Sequence, residues 1–396
     1  MIRIAIVASN YDRVSDTTKK GAEILLHILL TELHAISEHS GDLAISVFGS
    51  GDSTVPFPLT SITPTATSTD KRYRPNDQKL WELALVSKAL SKHNEFDLYH
   101  THITNGEYIL PFAPLVPKPI LITMHGPIDG ELPKKYFELF QKLSNVWFVS
   151  ISESQRRQMP ALHFAATIHN GIELSTFQFD PDGGKAMMWA GRAVPEKGAN
   201  IVLRVMAKTH RGGNLFPILK PEWQEWFLHK VAKKADLLSD TIERGITINL
   251  TRKELIKRYQ KSKLFLFPIS WEEPFGLVMT ESMACGTPIV AYARGSAPEL
   301  IVDGKTGFLV NANPHDRRGT WIVKKTGING LVEAVERIYA MSDSEYLMLR
   351  KNCRSHMEKH FSSTQMASKY LAVYKKLLTQ ESSRKLFRSF RPSAPP

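Results

Sequence analysis

Glu273 and Glu281 bracket the stretch Glu-Pro-Phe-Gly-Leu-Val-Met-Thr-Glu, and Arg192 and Lys197 flank a short loop upstream. Carboxylates accept hydrogen bonds from sugar diols. An arginine fork and a lysine point charge can hold a diphosphate and stabilise it as it leaves. Such electrostatic stabilisation needs no metal. The spacing predicts a helix over Leu277–Cys285, capped by Gly286 and stopped by Pro288. Its N-terminus carries partial positive charge and unpaired N–H groups, which suit a phosphate. Gly276 leaves room for close backbone approach, and Pro274 stiffens the entry. Glu273 lies before this helix and Glu281 inside it. At ~1.5 Å rise per residue, a turn or more separates them along the axis. A retaining hydrolase pair needs carboxyls ~5 Å apart, so two stations along an elongated ligand fit better. Taken singly, these residues also read as solvated helix-end glutamates and as surface cations beside Glu196.

His125 ends an apolar run and precedes Gly126-Pro127. Ligands of open α/β sheets bind at strand C-terminal ends, and a histidine there can act as acid, base or polar orienter. His100 and His102 alternate along an earlier strand and point to one side; His102 is nearer the strand end, and His100 can simply pack. The elements that must position these groups alternate strand with helix, the pattern of a parallel α/β fold. Predicted strands in the first half are 2–8, 43–48, 98–102, 120–124, 147–151 and 167–169; in the second, 187–190, 216–219, 246–250, 264–267, 289–291 and 307–310. Predicted helices include 22–33, 79–90, 136–143, 199–207, 254–261 and 330–341, with residues 343–380 helical as well. The Asp-, Pro- and Gly-rich run 179–184 reads as a linker. Two doubly wound, Rossmann-like domains facing across a cleft are expected: 1–182, then 183–364. A helix over 365–380 and a disordered basic tail over 381–396 follow.

Composition narrows the classes. The chain has 396 residues, 42% hydrophobic and 23% charged, enough for two ordinary soluble domains. Its apolar runs are too short to span a bilayer, and the N-terminus reads as a buried strand rather than a cleavable signal. A cytoplasmic location is the expectation. Cys285 and Cys353 form no metal or redox motif and read as small core residues. A net charge of +12 favours anionic partners. No zinc finger or aromatic-basic RNA motif is present, so nucleic acid is not expected. The cationic, aromatic run Arg384–Arg391 reads as a solvated tail, or as a peripheral contact with anionic membrane at its inner face.

Across most of its length the chain resembles a family 4 glycosyltransferase of the GT-B fold. The resemblance is carried by Lys20-Gly21-Ala22-Glu23, Asp97–His102, Thr123–Gly126, Ser150–Gln155 and Ile168–Ile172 in the first half. In the second it is carried by Ala190-Gly191-Arg192 with Glu196-Lys197-Gly198, by Glu273–Glu281, by Gly295–Glu299 and by Asp303–Val310. It implies a retaining, metal-independent transferase with no cofactor, which moves a hexosyl group from a UDP- or GDP-type sugar to a sugar, lipid-linked or small-molecule acceptor. By the same resemblance Gly191, Arg192 and Lys197 would meet the diphosphate. Glu273 and the Phe275-Gly276-Leu277 backbone would meet the sugar and phosphate, and Glu281 the ribose. His125 would lie beside the reacting carbon. Gly21 permits backbone approach near the phosphates. Lys20 replaces a usual glycine and adds a cation on the acceptor side, with His100 and His102. After the strand 216–219 the usual glycine-rich turn is replaced by Lys220–Trp226, whose two tryptophans read as packing residues. Other readings are a different GT-B enzyme, such as a nucleotide-sugar epimerase or sugar phosphorylase, and a non-catalytic nucleotide-sugar-binding subunit.

Overall fold

The computed structural model describes residues 1–18, 20–236 and 244–389, and the chain divides into two compact units. Met1–Gly171 form the first, completed by the chain from Ser363 onward; Ile172–Ser362 form the second. The break falls ahead of the run 179–184 expected to link the units. That run is held inside the second unit: the Asp180 carboxylate accepts from the backbone N–H groups of Asp182 and Gly183, both at 2.9 Å, and pairs with Lys261 at 2.7 Å.

The first unit contains β1 (Ile2–Val7), α1 (Gly21–Ser40), β2 (Leu43–Phe48), β3 (Leu59–Thr60), α2 (Pro75–Leu90), β4 (Leu98–Thr101), β5 (Ile120–Thr123), α3 (Glu131–Glu138), β6 (Val146–Ser150), α4 (Glu153–Arg156) and β7 (Phe164–Thr167). Its seven strands are parallel, in the order β3-β2-β1-β4-β5-β6-β7. The nearly unbroken apolar run of β1 fits a strand covered on both faces. Ile4 and Ile6 join one core cluster with α1, and Ala5 and Val7 join another with α2. In α1 the buried Leu25, Leu26, Leu29, Leu30 and Leu33 recur at helical spacing. Gly41, at φ +65°, then caps it in the left-handed conformation.

The second unit contains β8 (Met187–Arg192), α5 (Ala199–Thr209), β9 (Gly213–Ile218), α6 (Gln224–Phe227), α7 (Lys233–Asp236), β10 (Arg244–Ile246), α8 (Arg252–Gln260), β11 (Leu264–Phe267), α9 (Leu277–Ala284), β12 (Ile289–Tyr292), α10 (Ala297–Leu300), β13 (Gly307–Val310), α11 (Gly327–Tyr339) and α12 (Asp343–His360). Six parallel strands run β10-β9-β8-β11-β12-β13. Met187 and Trp189 of β8 bury against Val202, Val205 and Met206 of α5 and against α11. The chain then returns to the first unit as α13 (Ser363–Ser389). Its Met366, Ala367, Tyr370, Val373, Tyr374 and Leu377 lie in the α1-side core.

Several boundaries differ from the sequence expectation. Helix α3 starts five residues early, after Gly130 at φ +89°, and residues 139–145 are turns and coil leading into β6. Strand β7 ends at Thr167, where 167–169 was expected to begin, and β10 ends at Ile246, because Asn249 at φ +54° turns the chain. Residues 343–380 are helical as expected, as α12 and the start of α13. The tail expected to be disordered from 381 is helical to Ser389; the rest of it lies outside the described residues. Cys285 and Cys353 are buried and unpaired, as small core residues. Among the described residues no helix is long and apolar enough to cross a membrane.

Candidate functional site

In the second unit the strand order reverses between β8 and β11, the switch point at which open α/β sheets leave a crevice beyond the strand ends. Strand β8 ends on Gly191-Arg192, and β11 runs into the loop that carries Glu273 and opens α9. Backbone contacts fix the neighbouring turns. The Trp189 indole donates to the Lys197 carbonyl at 2.9 Å, and Ser270 N–H to Glu196 O at 2.9 Å. Gly198 sits at φ +76°, where a Cβ would stand 2.3 Å from Pro268 O, so only glycine lets the lysine turn approach this strand end. On the other side Ser296 N–H donates to Glu273 O at 2.9 Å and Ser296 Oγ to Phe275 O at 2.6 Å. Gly295 N–H donates to Glu272 Oε2 at 2.9 Å.

Within this frame Lys197 Nζ forms a buried ion pair with Glu273 Oε2. Trp271 Nε1 donates to the same oxygen at 2.9 Å, and the Lys197 ammonium stands 4.8 Å from the Trp271 ring centroid. The Arg192 guanidinium, on the exposed strand end, lies 5.8 Å from the ring of Trp271 and 5.9 Å from that of Trp223. Trp223 therefore packs on the core, as its spacing suggests, and also flanks Arg192. Helix α9 opens at Gly276, φ +77°, with no side-chain cap on its N-terminus. Phe275 is buried, with its carbonyl committed to Ser296, while Gly276 and Leu277 are part-exposed at the helix start.

Glu281 forms a separate station. It is buried on α9, accepts from the Tyr259 hydroxyl at 3.2 Å and lies 3.7 Å from Arg252. Burial pushes its carboxyl pKa up, opposed by Arg252 and by the Tyr259 hydrogen bond. The Tyr259 phenol is driven well above its ordinary range by burial and by the adjacent Glu281. Among the described residues Glu273 and Glu281 share no partner, which agrees with two stations and not with an acid/base pair. Trp271, Tyr259 and Arg252 escape the sequence reading. Trp271 had a signal, standing two residues before Glu273; the other two meet Glu281 only through tertiary packing.

In the first unit His102 and His125 follow β4 and β5, and His102 Nδ1 is 3.0 Å from His125 Nε2. Burial pushes the His125 imidazole down to about 4 and holds His102 well below the usual range, so both rings are neutral near pH 7. Expected on the acceptor side, His100 belongs instead to the core. It is fully buried, and its two ring nitrogens lie 2.8 Å from the hydroxyls of Tyr374 and Thr123. Strand alternation puts it on the His102 side, but α13 covers it. Gly21 is the exposed first residue of α1, and Lys20 pairs with Asp12 at 3.3 Å beside the Tyr11 ring.

Residues 173–318 match the family model of glycosyl transferases group 1. Over 192 residues the chain is 31% identical to a D-inositol 3-phosphate glycosyltransferase of Mycolicibacterium smegmatis, a match covering 43% of this chain and 42% of that protein. The alignment thus spans less than half the length of the curated relatives it matches. Sucrose-phosphate synthase from Thermosynechococcus elongatus has a similar fold, with a TM-score of 0.73 at 20% identity, covering 96% of this chain and 100% of that one. Anabaena HepE, solved in complex with UDP and glucose, gives 0.68 at 16% identity, covering 95% and 100%.

Proposed function

We propose that this chain, whose residues 173–318 match the group 1 glycosyl transferases and whose fold is GT-B, is a member of that family and transfers a hexosyl group from a UDP- or GDP-type sugar to a sugar, lipid-linked or small-molecule acceptor. The proposal includes retention of configuration, independence from metal, and a place in glycan or cell-envelope biosynthesis. One observation carries it: Arg192, Lys197, Glu273 and the open end of α9 gather at the β8/β11 switch point, with Glu281 at a separate station. Cations and helix N–H groups suit a diphosphate, and the two carboxylates suit hydroxyls on either side of it. The UDP in the HepE structure supports a UDP donor.

In this reading Glu281 grips the ribose, and Arg192, Lys197 and Gly191 take the diphosphate. Glu273 holds the donor sugar with the backbone of Phe275, Gly276 and Leu277. The anomeric C–O bond to the diphosphate breaks as the acceptor oxygen bonds to the same face, and a phosphate oxygen takes the acceptor proton. Arg192 and Lys197 stabilise the charge that develops on the leaving group. In the first unit, Lys20 and His102 are assigned to the acceptor, Gly21 to backbone approach to a phosphate, and His125 to the reaction itself. Exclusion of water limits donor hydrolysis. A cytoplasmic location, with peripheral membrane contact through the basic tail, completes the proposal.

The test is a panel of nucleotide sugars, read by thermal shift and by turnover with and without a chelator, on the wild type and Glu281→Ala. A donor that stabilises the wild type, loses its effect in the variant and turns over in chelator supports the reading. If no nucleotide sugar raises the wild-type melting temperature, the reading fails. Binding without turnover under any acceptor would assign a non-catalytic subunit.

A further inference from the structure

The two oxygens of Glu273 are used unequally. Oε2 accepts from both the Lys197 ammonium and the Trp271 indole N–H. Oε1 accepts no hydrogen bond from the described residues. Among the described residues Lys197 has no second carboxylate within ion-pairing distance; its ammonium also lies near the rings of Trp271, at 4.8 Å, and Phe267, at 5.8 Å. As it stands, the cation expected to meet a phosphate is neutralised by the carboxylate expected to meet a sugar.

A ligand diphosphate must draw Lys197 away from Glu273, and its charge repels the carboxylate at the same moment. A glutamate held by lysine alone would then swing free. The indole N–H is a neutral donor on a rigid side chain with two rotatable bonds. Its loop is pinned by the Gly295 and Ser296 backbone contacts. The ring face beside the ammonium keeps the cation near in either pairing.

We propose that Trp271 is a positioning residue: it holds Glu273 by Oε2 while Lys197 passes from that carboxylate to a phosphate, so that Oε1 stays presented to a donor-sugar hydroxyl. The exchange of Lys197 rests on the donor reading above; the anchoring of Glu273 does not, and the two are tested apart.

Anchoring is tested without ligand. The chain has seven tryptophans, hence seven indole N–H signals in a ¹⁵N spectrum, and Trp271→Phe identifies one of them. Lys197→Ala should leave that signal at its hydrogen-bonded position, and Glu273→Ala should move it to a solvent-like one. If both variants move it alike, Trp271 cannot hold the carboxylate alone and the proposal is overturned. Where Trp271→Phe folds poorly, Trp271→His identifies the signal in its place, and the two spectra are then read against each other. With a working donor, Trp271→Phe should bind the nucleoside diphosphate within about threefold of wild type. It should lose roughly tenfold in kcat and in the extra affinity due to the sugar, and Trp271→His, which keeps a ring N–H, should recover part of this. Equal weakening of diphosphate and nucleotide sugar, with kcat unchanged, would also overturn it.

Discussion

Glu281→Gln isolates the charge at the ribose station. Glutamine keeps the length of the side chain and a carbonyl for the Tyr259 hydroxyl, which donates to Glu281 at 3.2 Å. What it removes is the negative charge that a diol would bond. Hydrogen bonds to a charged acceptor contribute ~1.5–3 kcal/mol and neutral ones ~0.5–1.5, so each hydroxyl should lose about 1 kcal/mol. Two hydroxyls give about 2 kcal/mol, roughly 30-fold in Kd. Stability should not fall with affinity. Burial already disfavours the ionised carboxyl, and Arg252, which loses its partner, remains part-exposed. Calorimetry with the nucleoside diphosphate chosen by the donor panel, and with its 2′-deoxy form, measures the effect. The wild type should lose about tenfold on removal of the 2′-hydroxyl, and the variant much less. A Kd within threefold of wild type, or an equal deoxy penalty in both proteins, would refute the ribose assignment.

Three further outcomes are expected. Glu82 is buried, with one oxygen bonded to Ser9 Oγ at 2.7 Å and the other without a partner among the described residues, and burial pushes its carboxyl from 4.5 to about 7. The fold keeps a proton that the unfolded chain releases, so this group's stabilisation is complete below pH 4.5 and is lost as pH rises through about 7. That is on the order of 3 kcal/mol, and Glu82→Gln should lose less melting temperature than wild type between about pH 5 and 8; parallel curves would count against the assignment. Gly198→Ala places a Cβ 2.3 Å from Pro268 O at φ +76°; it should cost at least ~1 kcal/mol in urea unfolding and abolish the donor-induced thermal shift, and an unchanged shift would separate this turn from the site. Arg350 is fully buried and donates to the carbonyls of Asp180, Gln260, Ser262 and Cys285; Arg350→Met should destabilise the second unit by roughly 3–5 kcal/mol, and a loss below about 1 kcal/mol would refute its role as a buried anchor.

What the sequence reveals depends on how far the deciding contact reaches. Most strands of both sheets are legible because burial on two faces leaves short continuous apolar runs; the two-residue edge strand β3, only half-buried, leaves no such run. Gly286, at φ +90° behind α9, marks its helix end locally. The Glu273–Glu281 segment is legible for the same reason: loop, cap and helix lie within one stretch. His100 and His102 look equivalent in sequence. They are told apart by Tyr370 and Tyr374, which return from far along the chain to cover His100 and its partner Thr123. The run 179–184 has the composition of a linker, yet Lys261 and Arg350 hold it in place. No local pattern encodes that Trp271 and Lys197 meet on one oxygen of Glu273, since this depends on the side-chain directions of two loops.

The first unit is interrupted, and the interruption is neat: Ile172 and Ser362 form a parallel bridge, so the inserted unit begins and ends at one place. During synthesis the second unit is therefore complete once Ser362 has emerged, while the first still lacks α13. Domains generally fold as units as they leave the ribosome. Until α13 docks, Tyr370 and Tyr374 are missing from the sheet face they cover, and His100 and Thr123 lie open. The second unit can thus mature early, but the histidine-bearing strand ends of the first stay unfinished until late in translation. A stop or a proteolytic cut near Ser362 would leave a folded second unit tethered to an uncovered first one.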